Sequence, residues 1–194
     1  MTKICRNKKH SSYQSGFTLI ELLVVISIIT LLSSIILTNL NKGRVSSRIA
    51  NRQSNLSSLR KAMELYYNDN NGYPSTSMQW YNTCGFTGGS NVDVPLDSVI
   101  PGLVPTYVAH ITPGPQYTGH QLLDCYYYAS NGTDYKLIEW QVPDTNPYYN
   151  PSIPGITEFM DPLRSQYTIP TDCSETKGPF GYHWAIYSKG AMCW

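Results

Sequence analysis

The chain has 194 residues, of which only 14% are charged against roughly 25% in an average soluble domain, yet its mean hydropathy is −0.28. Uncharged residues supply the polarity, including 16 Tyr, 14 Gly and 13 Pro; this excludes a polytopic membrane protein, and 41% hydrophobic content argues against a disordered chain. The net charge of +1 is unevenly divided: residues 1–61 hold ten Lys/Arg and one acid while residues 62–194 hold four and twelve, which excludes a uniformly basic nucleic-acid-binding surface.

Residues 1–16 carry Lys3, Arg6, Lys8 and Lys9, no acid and no apolar run. From Phe17 to Leu40 the only charge is Glu21, and Leu22–Asn41 is a run of twenty uncharged residues. As a helix it would measure about 30 Å, the thickness of a bilayer's hydrocarbon core. A cleaved secretory signal would have a shorter apolar region and no internal acid. An ordinary signal anchor is the other reading. Lys42, Arg44, Arg48 and Arg52 follow the run, so basic residues flank both sides and charge alone does not fix the orientation.

The junction Ser15-Gly16-Phe17-Thr18-Leu19-Ile20-Glu21, running into Leu22-Leu23-Val24-Val25-Ile26, closely resembles the prepilin signature of type IV pilins and type II secretion pseudopilins. The resemblance implies a prepilin peptidase that cuts after Gly16, N-methylation of Phe17, and retention of the apolar helix. It also implies that Glu21 meets the amino group of Phe17 in a neighbouring subunit during assembly. On the residues alone, Thr18-x-x-Glu21 also reads as a capping box at a helix start, and the two roles are compatible.

Beyond the apolar run, Val45, Ile49, Leu56, Leu59, Met63 and Tyr66 step by 4, 7, 3, 4 and 3, a stripe at helical spacing that predicts core packing under a sheet. Arg44, Arg48, Arg52 and Arg60 are expected on the other faces. No Pro precedes Pro74, unlike the helix of many family members, and Gly43 is the expected weak point. Asn68–Pro74 supplies the stop, with Gly72 able to take a left-handed conformation. A helix from Phe17 to Asn68 would run about 80 Å, too long for a domain of this size to bury. The passage Tyr66-Tyr67 to Gly72-Tyr73-Pro74 resembles the pseudopilin-like branch of the same family.

Later residues change to a strand-and-loop pattern. Leu122–Ala129 and Tyr135–Gln141, joined by Ser130–Asp134, predict a hairpin; Tyr182–Ser188 predicts a third strand. Pro101–Val108 and Thr112–Pro115 resemble the family's connecting segment before its sheet, except that Gly114 stands where an Asp often precedes the second Pro. Residues 142–181 read as long loops. The expected fold is α+β: a basic leader (1–16), a transmembrane and filament-core helix (17–40), its amphipathic continuation (41–70), and an extracytoplasmic antiparallel-sheet domain (71–194) on which the helix packs by its second half.

Cys5 falls in the leader. Cys84, Cys125, Cys173 and Cys193 are an even number in a domain expected to be exported, which favours two disulfides over zinc, since no Cys-x₂₋₄-Cys spacing occurs. Three pairings exist; the sequential one, Cys84–Cys125 and Cys173–Cys193, is expected, the second joining a loop to the last residues as in many pilins. His110, His120 and His183 are scattered and no catalytic motif is present, so no enzyme activity and no cofactor are expected. Asp93, Asp97 and Asp161 are the loop acids to consider for calcium, as in some major pseudopilins, but they lack EF-hand spacing. Abundant Tyr could serve adhesion, although sheet packing is the simpler role for Tyr126–Tyr128. The expected function is a structural subunit of a type IV pilus or type II secretion pseudopilus. Its expected partners are other pilin subunits, the prepilin peptidase, the assembly machinery and the membrane, with no nucleic acid. The competing class is a binding or adhesion module displayed singly on an uncleaved anchor.

Overall fold

The computed structural model describes residues 16–117, 119, 123–142, 159, 161 and 183–194, with the side chains of residues 35–39 excepted. The expectations placed on Cys5 and the leader up to Ser15, on His120, on Cys173 and on most of the 142–181 loops lie outside the described residues. The chain divides into two compact units, Met1–Gly43 and Arg44–Trp194, and one helix, α1 (Leu19–Asn70), contributes to both.

In the first unit every described side chain from Gly16 to Ser34 is exposed, among them Leu19, Leu22, Ile26, Ile29 and Leu31. Three hydroxyls in this stretch turn inward on their own helix: Ser27 Oγ donates to Val24 O at 2.7 Å, Thr30 Oγ1 to Ser27 O at 2.9 Å and Ser34 Oγ to Leu31 O at 2.8 Å. Such bonds satisfy a hydroxyl without water. Among the described residues no helix is long and apolar enough to cross a membrane. The uncharged run Leu22–Asn41 on which that expectation rests includes residues 35–39, whose side chains fall outside the description.

In the second unit Ile49, Leu56, Leu59, Ala62 and Met63 of α1 are buried, and Val45 and Tyr66 pack against them. Arg52 corrects the expected pattern. It is fully buried on the same stripe, filling the seven-residue step from Ile49 to Leu56. The helix ends at Asn70, and the left-handed residue after it is Asn71 (φ 53°), not Gly72. Asn tolerates that region better than other side chains. Gly72 has a different role: a β-carbon there would lie 2.9 Å from Gly132 O in the hairpin turn.

Five strands follow: β1 (Trp80–Asn82), β2 (Asn91–Asp93), β3 (Cys125–Ser130), β4 (Tyr135–Trp140) and β5 (Trp184–Tyr187). Their order is β2-β1-β3-β4-β5, antiparallel except for the parallel pair β1–β2. Asn131 shapes the β3–β4 hairpin turn by accepting the amides of Thr133 and Asp134 on Oδ1 at 2.9 and 2.8 Å. The register places Tyr128, Leu137 and Ile186 in one row and Tyr126, Glu139 and Trp184 in the next. Side chains alternate faces along a strand, so these two rows share a face, and all but Glu139 belong to the apolar cluster that includes Leu56 and Met63 of α1. Val99, Ile100, Leu103 and Ile111, from the segment between β2 and β3, complete that core.

Candidate functional site

The first turn of α1 is built as the junction sequence requires. Thr18 is the capping residue: its Oγ1 accepts the Glu21 amide at 3.3 Å, and Glu21 Oε2 accepts the Thr18 amide at 2.8 Å and the Thr18 hydroxyl at 2.7 Å. This reciprocal box satisfies two donors that a helix start otherwise leaves open. The two bonds that reach the carboxylate both use Oε2; among the described residues Glu21 Oε1 has no hydrogen-bond partner. Phe17 is 90% exposed, and among the described residues nothing lies within 4 Å of where a β-carbon on Gly16 would stand. Among the described residues nothing crowds the Gly16–Phe17 bond, and a half-engaged carboxylate stands four residues beyond it.

Residues 11–37 match the model of the prokaryotic N-terminal methylation motif. The amino terminus is therefore of the prokaryotic N-terminal methylation type. It is 41% identical over 63 residues to the type II secretion system core protein G of Pectobacterium carotovorum, and 40% identical over 63 residues to that of Aeromonas hydrophila. These matches cover 32% of this chain and 40% and 44% of the two relatives, so the chain spans less than half the length of the curated relatives it matches. The core protein G of Escherichia coli is similar at 38% identity over 64 residues. No solved structure matches.

Cys84 and Cys125 form a disulfide that joins the segment after β1 to the first residue of β3, with Cα atoms 5.3 Å apart. Cys193 is also disulfide-bonded, and Cys173, the partner expected for it, lies outside the described residues. A bridge between residues 41 apart contributes roughly 4 kcal/mol in the loop-entropy model. Alkylation of the native, unreduced protein should therefore find no reactive thiol among the four cysteines after Phe17. Digestion without reductant should yield a Cys84–Cys125 cross-linked peptide, and loss of that bridge should cost about 2–5 kcal/mol in urea unfolding. Four reactive thiols would overturn the expectation of an oxidising compartment.

The three acids considered for calcium have separate engagements. Asp93 Oδ1 accepts the Gly85 amide, Asp97 accepts the Ile111 amide and faces His110 Nδ1 at 3.0 Å, and buried Asp161 takes Lys136 Nζ at 2.8 Å. Among the described residues no group of three or more His, Cys, Asp or Glu side chains is placed to hold a metal ion. Tyr126 and Tyr128 are buried in the core. Tyr127, on the other face, lines an open cavity of about 240 Å³ with Trp80, Asn91, Ile138 and Trp140.

Sequence reasoning missed two buried charged groups. Lys136 Nζ binds Asp161 and the backbone oxygens of Met192 and Trp194, both at 3.0 Å, tying β4 to the carboxy-terminal residues. Arg52 reaches Asp124, just before β3, through Nη2 at 2.7 Å and Nε at 3.2 Å, and Glu139 of β4 stands 3.5 Å from Nε. The signal for Arg52 was available: positions 49, 52 and 56 step by 3 and 4, so the gap in the apolar stripe marked an inward-facing residue.

Proposed function

We propose that this chain is a structural, non-catalytic subunit of a type II secretion pseudopilus or related type IV pilus, assembled through its amino-terminal helix after cleavage following Gly16. The observation that carries this reading is the junction: an open Gly16–Phe17 bond, then a capped helix start in which Glu21 keeps one carboxylate oxygen free. The wholly exposed apolar stretch that follows supports it. Hydroxyls bonded to their own helix can be placed in lipid or against other helices without losing partners, and exposed Leu, Ile and Val seek an apolar surrounding. The relatives are core protein G of type II secretion systems, which favours the pseudopilus over the motility or adhesive pilus.

On this reading Phe17–Leu40 is inserted in a membrane before assembly, the leader is cytoplasmic and the sheet unit is extracytoplasmic. Its partners are other pilin-type subunits, the prepilin peptidase and the secretion machinery. The β unit serves as the outer part of each subunit and needs no cofactor. Mass spectrometry of the protein purified from its native membrane tests the reading. The expected amino-terminal peptide begins at Phe17 and carries one methyl group. A chain retaining residues 1–16 would instead be a singly displayed anchored module.

A further inference from the structure

Burying a carboxylate is costly unless hydrogen bonds or a cation replace its water. Glu139 sits in β4 on the face toward α1, fully buried, and among the described residues neither of its carboxyl oxygens has a hydrogen-bond partner. The nearest cation is already committed. Arg52 gives Nε and Nη2 to Asp124, which also accepts the Gln116 amide at 2.7 Å, and Nη2 further contacts Gln116 Oε1 at 3.3 Å. The 3.5 Å approach of Nε to Glu139 Oε1 is ion-pair range without hydrogen-bond geometry. Gly114 roofs the pair: a β-carbon there would clash with Asp124 Cβ and lie 2.7 Å from Glu139 Oε1. One guanidinium therefore faces two carboxyl groups in an enclosed space. Asp124, with three donors, is the one equipped to be the anion.

We propose that the folded domain carries Glu139 as a neutral carboxylic acid, and that this proton keeps the joint between α1 and the sheet closed. Its loss would set two carboxylates against one guanidinium and loosen the contact. Among the described residues the charged and titratable groups facing Glu139 are Arg52 from α1, Asp124 from the turn before β3 and Tyr126 from β3. Segment 114–116 adds the neutral Gly114 and Gln116, and β5 adds Trp184, whose buried Nε1 has no hydrogen-bond partner. Burial first, and then the charge of Asp124, push the Glu139 carboxyl up to about 8, with Arg52 acting in the opposite sense. A carboxyl raised on folding stabilises the fold fully below its unfolded-state value. That stabilisation is lost as pH rises toward the folded-state value and is gone above it.

The test is urea unfolding of the full chain in neutral detergent, comparing wild type with Glu139→Gln across pH. Relative to the variant, the wild-type unfolding constant should rise by close to tenfold per pH unit between about pH 5 and about pH 8, the slope for one proton, and then level off. Identical profiles for the two proteins would overturn the proposal. Infrared spectroscopy of the wild type gives a second reading that does not depend on the variant folding. A protonated-carboxyl band should be present at neutral pH and titrate away near pH 8, and in Asp124→Asn it should disappear at lower pH. No such band at neutral pH would equally refute the proposal.

Discussion

Glu21→Ala is expected to insert and be cleaved after Gly16 normally, yet to be depleted at least about tenfold from sheared filament fractions. An acid at mid-bilayer costs roughly 2.5–3.5 kcal/mol and tends to be retained where it has a partner. In the single chain Thr18 engages only Oε2 of Glu21. Oε1 is left for a donor from outside, and the proposed one is the methylated amino group of Phe17 on a neighbouring subunit. Losing a pairing worth 1.4 kcal/mol already shifts an association equilibrium tenfold. Alanine also removes the cap, which by itself weakens a helix start. Glu21→Gln separates the two effects, because Gln can complete a capping box without the charge. Both variants should fail to assemble if the charge is what matters. Wild-type filament yield from Glu21→Gln would leave the carboxylate with a capping role alone.

Much of this architecture was legible because it is periodic or chemically marked. The stripe from Val45 to Tyr66 has helical spacing, and each of its members is buried or half-buried in the core. The hairpin of β3 and β4 was signalled by β-rich runs on either side of Asn131-Gly132, and β5 by the run around Ala185 and Ile186. Strands β1 and β2 were not legible. Three residues each, Trp-Tyr-Asn and Asn-Val-Asp, are too few to show alternation, and both depend on pairing with distant chain. The Thr18–Glu21 box was readable because capping is local. The Arg52–Asp124–Glu139 group was not, since its members are 72 or more positions from Arg52 and only the folded sheet brings them together. Gly114, read as a departure from a family pattern, has a physical reason in that same group: the space its side chain would need is occupied by Asp124 and Glu139.

Arg52→Met should destabilise the Arg44–Trp194 unit by about 3–5 kcal/mol, the range for removing one partner of a buried ion pair. Methionine is close in volume and flexible enough to fill the guanidinium's place, so the loss would come from charge rather than from a void. Both Arg52 and Asp124 are fully buried. Without Arg52, Asp124 keeps the Gln116 amide but no counter-charge among the described residues. Water cannot replace the guanidinium without opening the contact between α1 and the sheet. One further result distinguishes this account from a general packing defect. Arg52→Met combined with Asp124→Asn should be less damaging than Arg52→Met alone, because the second change removes the stranded charge. Urea unfolding of the full chain in detergent, followed by aromatic fluorescence, measures all three proteins. A loss below about 1 kcal/mol for Arg52→Met, or simple additivity in the double variant, would mean that the buried pair does not hold the helix to the sheet.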